Sequence, residues 1–189
     1  MPIPVLRTSR LVLRPWCTED LPAFAAMSAD ARVMEFFPKT LDRTESEAAA
    51  ARYASHFERH GFGWWALEVP GVVDFIGFTG LIVPSFEAHF TPYVEIGWRL
   101  APDYWGQGYA TEAARASLKF GFETLRLDEI VSLTVPDNVR SRRVMERLEM
   151  TRSPADDFDH PKVPEGHHLR RHVLYRLSRS AWEQAYKTA

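Results

Sequence analysis

The chain of 189 residues carries 23 Lys and Arg against 25 Asp and Glu, a formal net charge of -2. That length suffices for one sizeable core, and the charge balance gives no basic excess to draw the chain to nucleic acid or anionic lipid. Its one cysteine, Cys17, excludes an internal disulfide framework, no apolar run approaches the roughly 20 residues of a membrane span, and the opening MPIPVLRTSR lacks an apolar signal core. The expectation is one domain over 1–189, cytoplasmic, monomer or homodimer, with a small-molecule or peptide partner.

In chain order, Leu11 and Leu13 alternating with Val12 and Arg14 predict a strand over 10–15. Thr18 offers a capping oxygen to a helix whose first turn holds Glu19 and Asp20. Thr44 and Glu47 stand at capping-box spacing before an alanine-rich helix, with Tyr53, Ala54 and Phe57 on one stripe and Gly61 as its stop. Two apolar runs between Gly63 and Val83, parted by Pro70-Gly71, predict an antiparallel hairpin. From Tyr93 a strand follows, with Val94, Ile96, Trp98 and Leu100 on one face and Glu95, Gly97 and Arg99 on the other, ended by Ala101-Pro102. Ala110, Ala113, Ala114, Ser117, Leu118, Gly121 and Phe122 then form a narrow helical stripe suited to close packing on a sheet. A strand over 130–135 and a helix with Ser141, Val144, Met145 and Leu148 on one face come next. Residues 153–168 read as a long polar loop, 172–177 as a closing strand, and SRSAWEQAY as a last helix.

The segment 103-DYWGQGYATEA-113 joins a strand to a helix through two glycines. Such a turn leaves backbone N–H groups unpaired at a helix N-terminus, where the dipole favours an anion, and a pyrophosphate is a good occupant. Thr111 stands where a third glycine would complete a dinucleotide fingerprint, and no P-loop lysine follows. Dinucleotide and ATP sites are therefore disfavoured.

The run 94-VEIGWRLAPDYWGQGYATEA-113, with 138-NVRSRRVMERL-148 one strand later, 10-RLVLRPW-16 at the front and 169-LRRHVLYRL-177 near the end, resembles a GNAT-superfamily N-acetyltransferase of the RimJ/RimL type. The resemblance implies an α/β (α+β) domain with a mixed, mostly antiparallel sheet flanked by helices and splayed where acetyl-CoA inserts. It further implies acetyl transfer to a primary amine, foremost a protein N-terminal α-amino group, with a small-molecule amine or antibiotic as the alternative. A non-catalytic acyl-CoA sensor is the rival of another class. By resemblance, the amides of Gly106, Gln107, Gly108, Tyr109, Ala110 and Thr111 bind the pyrophosphate, the backbone of Trp98 and Leu100 meets pantetheine, and Asn138 hydrogen-bonds the same arm. Trp105 occupies the superfamily's Arg or Gln position and points to the branch. Arg140, Arg142 and Arg143 are within reach of a phosphate in that picture, or form a solvated helix face.

Acetyl transfer needs a neutral amine and a proton for the departing thiolate. Glu95, on the strand implied to bind pantetheine, is the expected base, with Glu68 as runner-up and pairing with Arg99 as the alternative use of Glu95. The position of the family's tyrosine acid is Met145, which donates no proton. Ser141, near the sulfur by resemblance, is the candidate donor, and also a plausible helix-cap serine. Glu149 replaces the family's glycine near the end of this helix. His160, His167, His168 and His172 lack metal-ligand spacing, so no metal is expected. The run 156-DDFDH-160 is a solvated acidic loop or a lure for a cationic amine, and Trp64, Trp65 and Phe86 are core residues or cleft walls.

Overall fold

The computed structural model describes residues 3–186; the remaining termini of the 1–189 domain reading lie outside the described residues. The chain opens with strands β1 (Leu6–Arg7) and β2 (Val12–Arg14), helices α1 (Leu21–Ala29) and α2 (Arg43–His60), and the hairpin β3 (Trp64–Val69) and β4 (Val73–Ile82). Strand β5 (Glu95–Leu100), helix α3 (Tyr109–Lys119), strand β6 (Glu129–Thr134) and helix α4 (Val139–Arg147) form the middle. Short strands β7 (Thr151–Arg152) and β8 (Phe158–Asp159), strand β9 (Arg171–Ser178) and helix α5 (Arg179–Tyr186) complete it.

The sheet runs β1-β2-β3-β4-β5-β6-β9-β7, with β8 paired separately to β9. Its one parallel junction is β5–β6; all its other pairings are antiparallel. One core packs Leu13, Trp65, Ile76 and Ile96 of the strands against Ala113, Ala114 and Leu118 of α3. The small helical stripe thus lies directly on the sheet, as its composition predicted. A second core on α1 and α2 gathers Phe24, Met27, Ala49 and Ala50 around Phe75 and Phe78.

Local chemistry moved several predicted boundaries. The helix expected to be capped by Thr18 begins as a 3-10 turn over Thr18–Asp20, with Cys17 at its N-cap. Buried Asp20 takes over the capping, accepting the Cys17 amide at 2.9 Å while Arg14 holds both its oxygens at 2.8 and 2.7 Å. The capping box of α2 is Asp42 with Glu45, two residues before the expected Thr44 and Glu47. Glu47 is free to pair with Arg43 on the exposed turn instead. Ala54 faces solvent, and Ala49, Ala50 and Phe57 carry the buried stripe with half-buried Tyr53. Gly61 ends the helix with φ +74°, as its position predicted.

The acidic run is neither free nor a lure. Asp156 binds Arg176 at 2.9 Å, Asp157 pairs with Arg152, and Asp159 with Arg171 at 3.3 Å, while Phe158 is buried between them. These pairs pin the segment to β7 and β9, and the loop gains the short strand β8 against β9.

Glu149, where the resemblance implies a glycine, makes its turn at φ +60°. A side chain in the left-handed region costs about 1 kcal/mol relative to glycine. Glu149→Gly is therefore expected to raise the melting temperature by about 2–4 °C in thermal unfolding followed by circular dichroism.

Candidate active site

The cleft starts where β5 and β6 part. The Ala101 amide donates to Ile76 O at 2.9 Å, so backbone groups of odd-numbered residues of β5 face β4. Those of even-numbered residues face β6: Val94 O accepts from the Val131 amide at 3.0 Å and Ile96 O from Ser132 Oγ at 2.9 Å. Register is kept only between Glu95 and Val131. Beyond it the strands diverge, and Trp98, which has the same orientation as Ile96, has no strand to meet. Leu100 O, next along that edge, is capped by the Trp105 indole N–H at 2.8 Å. The edge between Ile96 and Leu100 thus presents a bare N–H and C=O to the cleft, suited to an extended amide-bearing arm.

The loop after β5 faces the same opening. Gly106 at φ +74° and Gly108 at φ +83° turn the backbone through the left-handed region. None of the amides from Gly106 to Thr111 has an acceptor among the described residues. They converge at the start of α3, an anion site by geometry.

A clamp absent from the sequence reading holds this loop. Arg10 donates to Gln107 O at 3.0 Å and to Glu112 Oε2 at 2.6 Å, and its guanidinium lies 4.5 Å from the Tyr109 ring centre. Glu112 also accepts from the hydroxyls of Thr8 and Ser9 at 2.6 and 3.1 Å. Burial works against its ionisation, but these hydrogen bonds prevail and hold its carboxyl below the usual range. A carboxylate beside an anion site would repel the anion, and Arg10 offsets it. The Gln107 side chain turns back to Asp103 O at 2.8 Å, so this residue contributes its amide to the loop's free row.

Helix α4 forms the opposite wall. Asn138 caps it, accepting the Ser141 amide at 3.1 Å and donating to Thr134 Oγ1 at 3.0 Å, which leaves one amide hydrogen for a ligand. Ser141 lines the cleft, and its hydroxyl has no partner among the described residues. Met145 is 1% exposed and packed in the core, so this position supplies no group to the cleft. Arg142 is tied to Tyr175 and Pro136 O, while Arg140 spans the mouth, pairing with Glu35 at 2.6 Å and lying 4.6 Å from the Trp105 ring centre. Arg143 is exposed on the cleft rim.

The other face of β5 looks into the same cavity, of about 1630 Å³. Glu95 lies there half-buried, with no hydrogen bond or ion pair among the described residues, and burial pushes its carboxyl up to about 8. The expected alternative, pairing with Arg99, does not occur. Glu68, the runner-up, is removed from the site by Arg14, which binds it at 2.9 Å. Trp64 lines the cleft, whereas Trp65 is fully buried, donating to Pro4 O at 2.7 Å, and Phe86 packs with Tyr93 and Phe158 outside it. His160 and His172 lie 4.9 Å apart on the cleft wall, and burial lowers both, His160 to about 4. A neutral histidine of that basicity is a poor proton acceptor at neutral pH.

An open antiparallel-to-parallel sheet splayed over an amide-lined loop is the architecture of an acyl-CoA-dependent transferase. The Acetyltransferase (GNAT) domain family matches residues 10–151. The chain is 31% identical to the uncharacterized N-acetyltransferase YnaD of Bacillus subtilis, covering 94% of this chain and 98% of that one. It is also 31% identical to the FsC-acetyl coenzyme A-N(2)-transacetylase of Aspergillus fumigatus, over 97% and 80% of the two chains. The structure of RimL, a ribosomal L7/L12 alpha-N-protein acetyltransferase in complex with coenzyme A, shares the fold with a TM-score of 0.74 at 16% identity, over 94% and 99% of the chains. The chain belongs to the GNAT acetyltransferase family and is an acetyl-CoA-dependent acetyltransferase. Among the described residues no helix is long and apolar enough to cross a membrane, and no group of three acidic, histidine or cysteine residues is placed to hold a metal.

Two outcomes are expected. Gly108→Val forces a branched side chain into the left-handed region, costing about 1–2 kcal/mol, and should weaken coenzyme A binding about 5- to 30-fold by titration calorimetry. For Glu95, the unfolded chain ionises near 4.5 and the folded chain near 8, so within that window the folded state binds more protons and stability falls as pH rises. Glu95→Gln should abolish a slope of up to about 1.4 kcal/mol per pH unit, read from urea unfolding at pH 5, 6, 7 and 8.

Proposed function

We propose that the protein acetylates an α-amino group of a peptide or protein, with Glu95 as the general base, as a member of the RimJ/RimL-type branch. The unpaired Glu95 carboxyl at about 8, on the strand whose free edge faces the cleft, carries this reading. An α-amino group titrates at about 7.7–8.0 and a lysine near 10.4. A base of matched basicity takes a proton from the first at almost no cost, whereas a lysine would remain protonated against it by more than two units.

Bound acetyl-CoA supplies an acetyl group activated as a thioester. The amides of Gly106 to Thr111 and the Arg10-clamped loop fit its pyrophosphate, and the free edge at Trp98 together with Asn138 fits its amide-bearing arm. In this reading the Trp98 N–H, fixed in the strand, also donates to the acetyl oxygen as negative charge develops there. Glu95 accepts the amine proton directly or through a water. Ser141 Oγ, free on the cleft wall, hydrogen-bonds the sulfur as it departs as thiolate, while the amine proton stays with Glu95. The Aspergillus relative is named for transfer at N(2) of FsC, and this favours a second reading in which the amine belongs to a small molecule.

Glu95→Gln should lower kcat about 10²- to 10⁴-fold and flatten its rise between pH 6.5 and 9, with coenzyme A affinity retained. Thiol release is measured against pH with peptide acceptors. An unaltered pH profile removes Glu95 from the role of base.

A further inference from the structure

Arg99 lines the cleft, and the reaction leaves it unused. It occupies the same face of β5 as Glu95, and its Nε and Nη1 are shielded from solvent without a hydrogen-bond partner. No acidic side chain pairs with it among the described residues. Its guanidinium lies 4.1 Å from the ring centre of Phe37 and 5.2 Å from that of Phe78, and Tyr53 faces it from α2. Rings hold the flat faces of a guanidinium but satisfy none of its in-plane N–H donors, and a buried cation with unmet donors is costly to keep. Nη2 is the nitrogen not sealed off, and Arg99 borders the open cavity.

The obvious internal partner is kept away by construction. Gly97 lies between Glu95 and Arg99, and a Cβ there would come within 2.8 Å of the Trp64 ring. The tip of the Trp64 indole thus closes on the strand at Gly97, between the acid and the guanidinium. At roughly 3.3 Å per residue, the Cα atoms of the two are about 13 Å apart, a gap their side chains narrow without closing. An amine at Glu95 and an anion at Arg99 are the two ends of a ligand laid across Trp64.

We propose that Arg99 binds a carboxylate on the amine acceptor, so that the enzyme selects acceptors whose acid group lies several bonds from the reacting nitrogen. A planar monoanion matches a planar guanidinium with two parallel hydrogen bonds, and a single cation in an aromatic setting matches one negative charge. The carboxylate belongs either to an acidic side chain at the second or third residue of a peptide or to the carboxyl end of a short peptide or ω-amino acid. The distance across Trp64 disfavours an α-amino acid, whose two groups share one carbon. This inference rests on the acetyltransferase reading with the amine placed at Glu95.

The test uses matched acceptors: peptides beginning Ser-Asp, Ser-Glu and Ser-Ala-Glu against their Asn and Gln counterparts, and ω-amino acids and dipeptides against their carboxamides, followed by thiol release. Carboxylates should exceed amides in kcat/KM by about 10- to 100-fold, and the arm that responds identifies the source of the acid. In Arg99→Met that ratio should fall to about one, with Arg99→Lys between, while the KM for acetyl-CoA stays constant. Equal turnover of acids and amides by the unmodified enzyme overturns the proposal, as does a rise in acetyl-CoA KM that matches the acceptor effect, because Arg99 would then serve the cofactor. Should no acceptor release thiol, the acetyl-transfer reading fails, and calorimetric titration of the coenzyme A-loaded enzyme with the same pairs still decides the carboxylate: preferential binding of acids supports it and equal binding overturns it.

Discussion

The site depends on a single interrupted strand pairing. Parallel strands β5 and β6 share register at Glu95 and Val131 and are pinned once more by Ser132 Oγ on Ile96 O. Past that point the backbone of β5 stays paired with β4 but has no neighbour on its β6 side, in the middle of a sheet where unpaired groups are ordinarily not tolerated. The far end of the opening is occupied, because Trp105 donates its indole N–H to Leu100 O. What remains bare is a short edge flanked by free loop amides. A fold that leaves so many donors facing one cavity is stable only because that cavity is wet or filled, which places ligand binding and folding energetics on the same groups.

Charge is arranged along the cleft by the same economy. At the loop end Glu112 is neutralised by Arg10 and by two hydroxyls, so the positive character of the helix terminus survives. On the other face of β5 two groups of opposite sign stay unpaired, Glu95 and Arg99, separated by Trp64 over Gly97. An ion pair between them would have stabilised the chain and removed both from chemistry: a paired carboxylate is a weak base and a paired guanidinium cannot recognise a ligand. Tyr53 and Phe78 hold Trp64 by edge contacts, and Trp16 donates its indole N–H to Trp64 O, which gives Trp64 the rigidity to keep Glu95 and Arg99 apart.

The strands, the glycine loop and the order of helices were legible because they rest on local periodicity and on motifs contiguous in sequence. The alternation in 94–100 separated the two faces of β5, Val94, Ile96, Trp98 and Leu100 from Glu95, Gly97 and Arg99. Contacts across the chain were not legible. The Arg10–Glu112 clamp joins residues 102 apart, and Arg140 meets Glu35 across 105. Glu112 carried the only hint, since an acid next to an anion-binding loop requires a compensating cation. Capping failed for a related reason: Thr18 and Asp20, or Thr44 and Asp42, are equivalent by type, and tertiary partners such as Arg14 decide between them. The acidic run 156–159 read as solvated because its arginine partners lie on β7 and β9.

Met145 shows how identity and orientation change together. Ser141 and Met145 are four residues apart on one side of α4, yet the first lines the cleft and the second is sealed in the core with Leu148 and Tyr175. A tyrosine at 145 would have to displace that packing to reach the cavity, so the apolar residue is part of how this α4 is seated. The hydroxyl available to the cleft moves one turn earlier, to the residue whose own amide is fixed by the Asn138 cap. Under the proposed function, a serine whose amide is fixed by the Asn138 cap places one hydrogen bond at the sulfur with little reorganisation, where a long side chain four residues on would first have to be ordered.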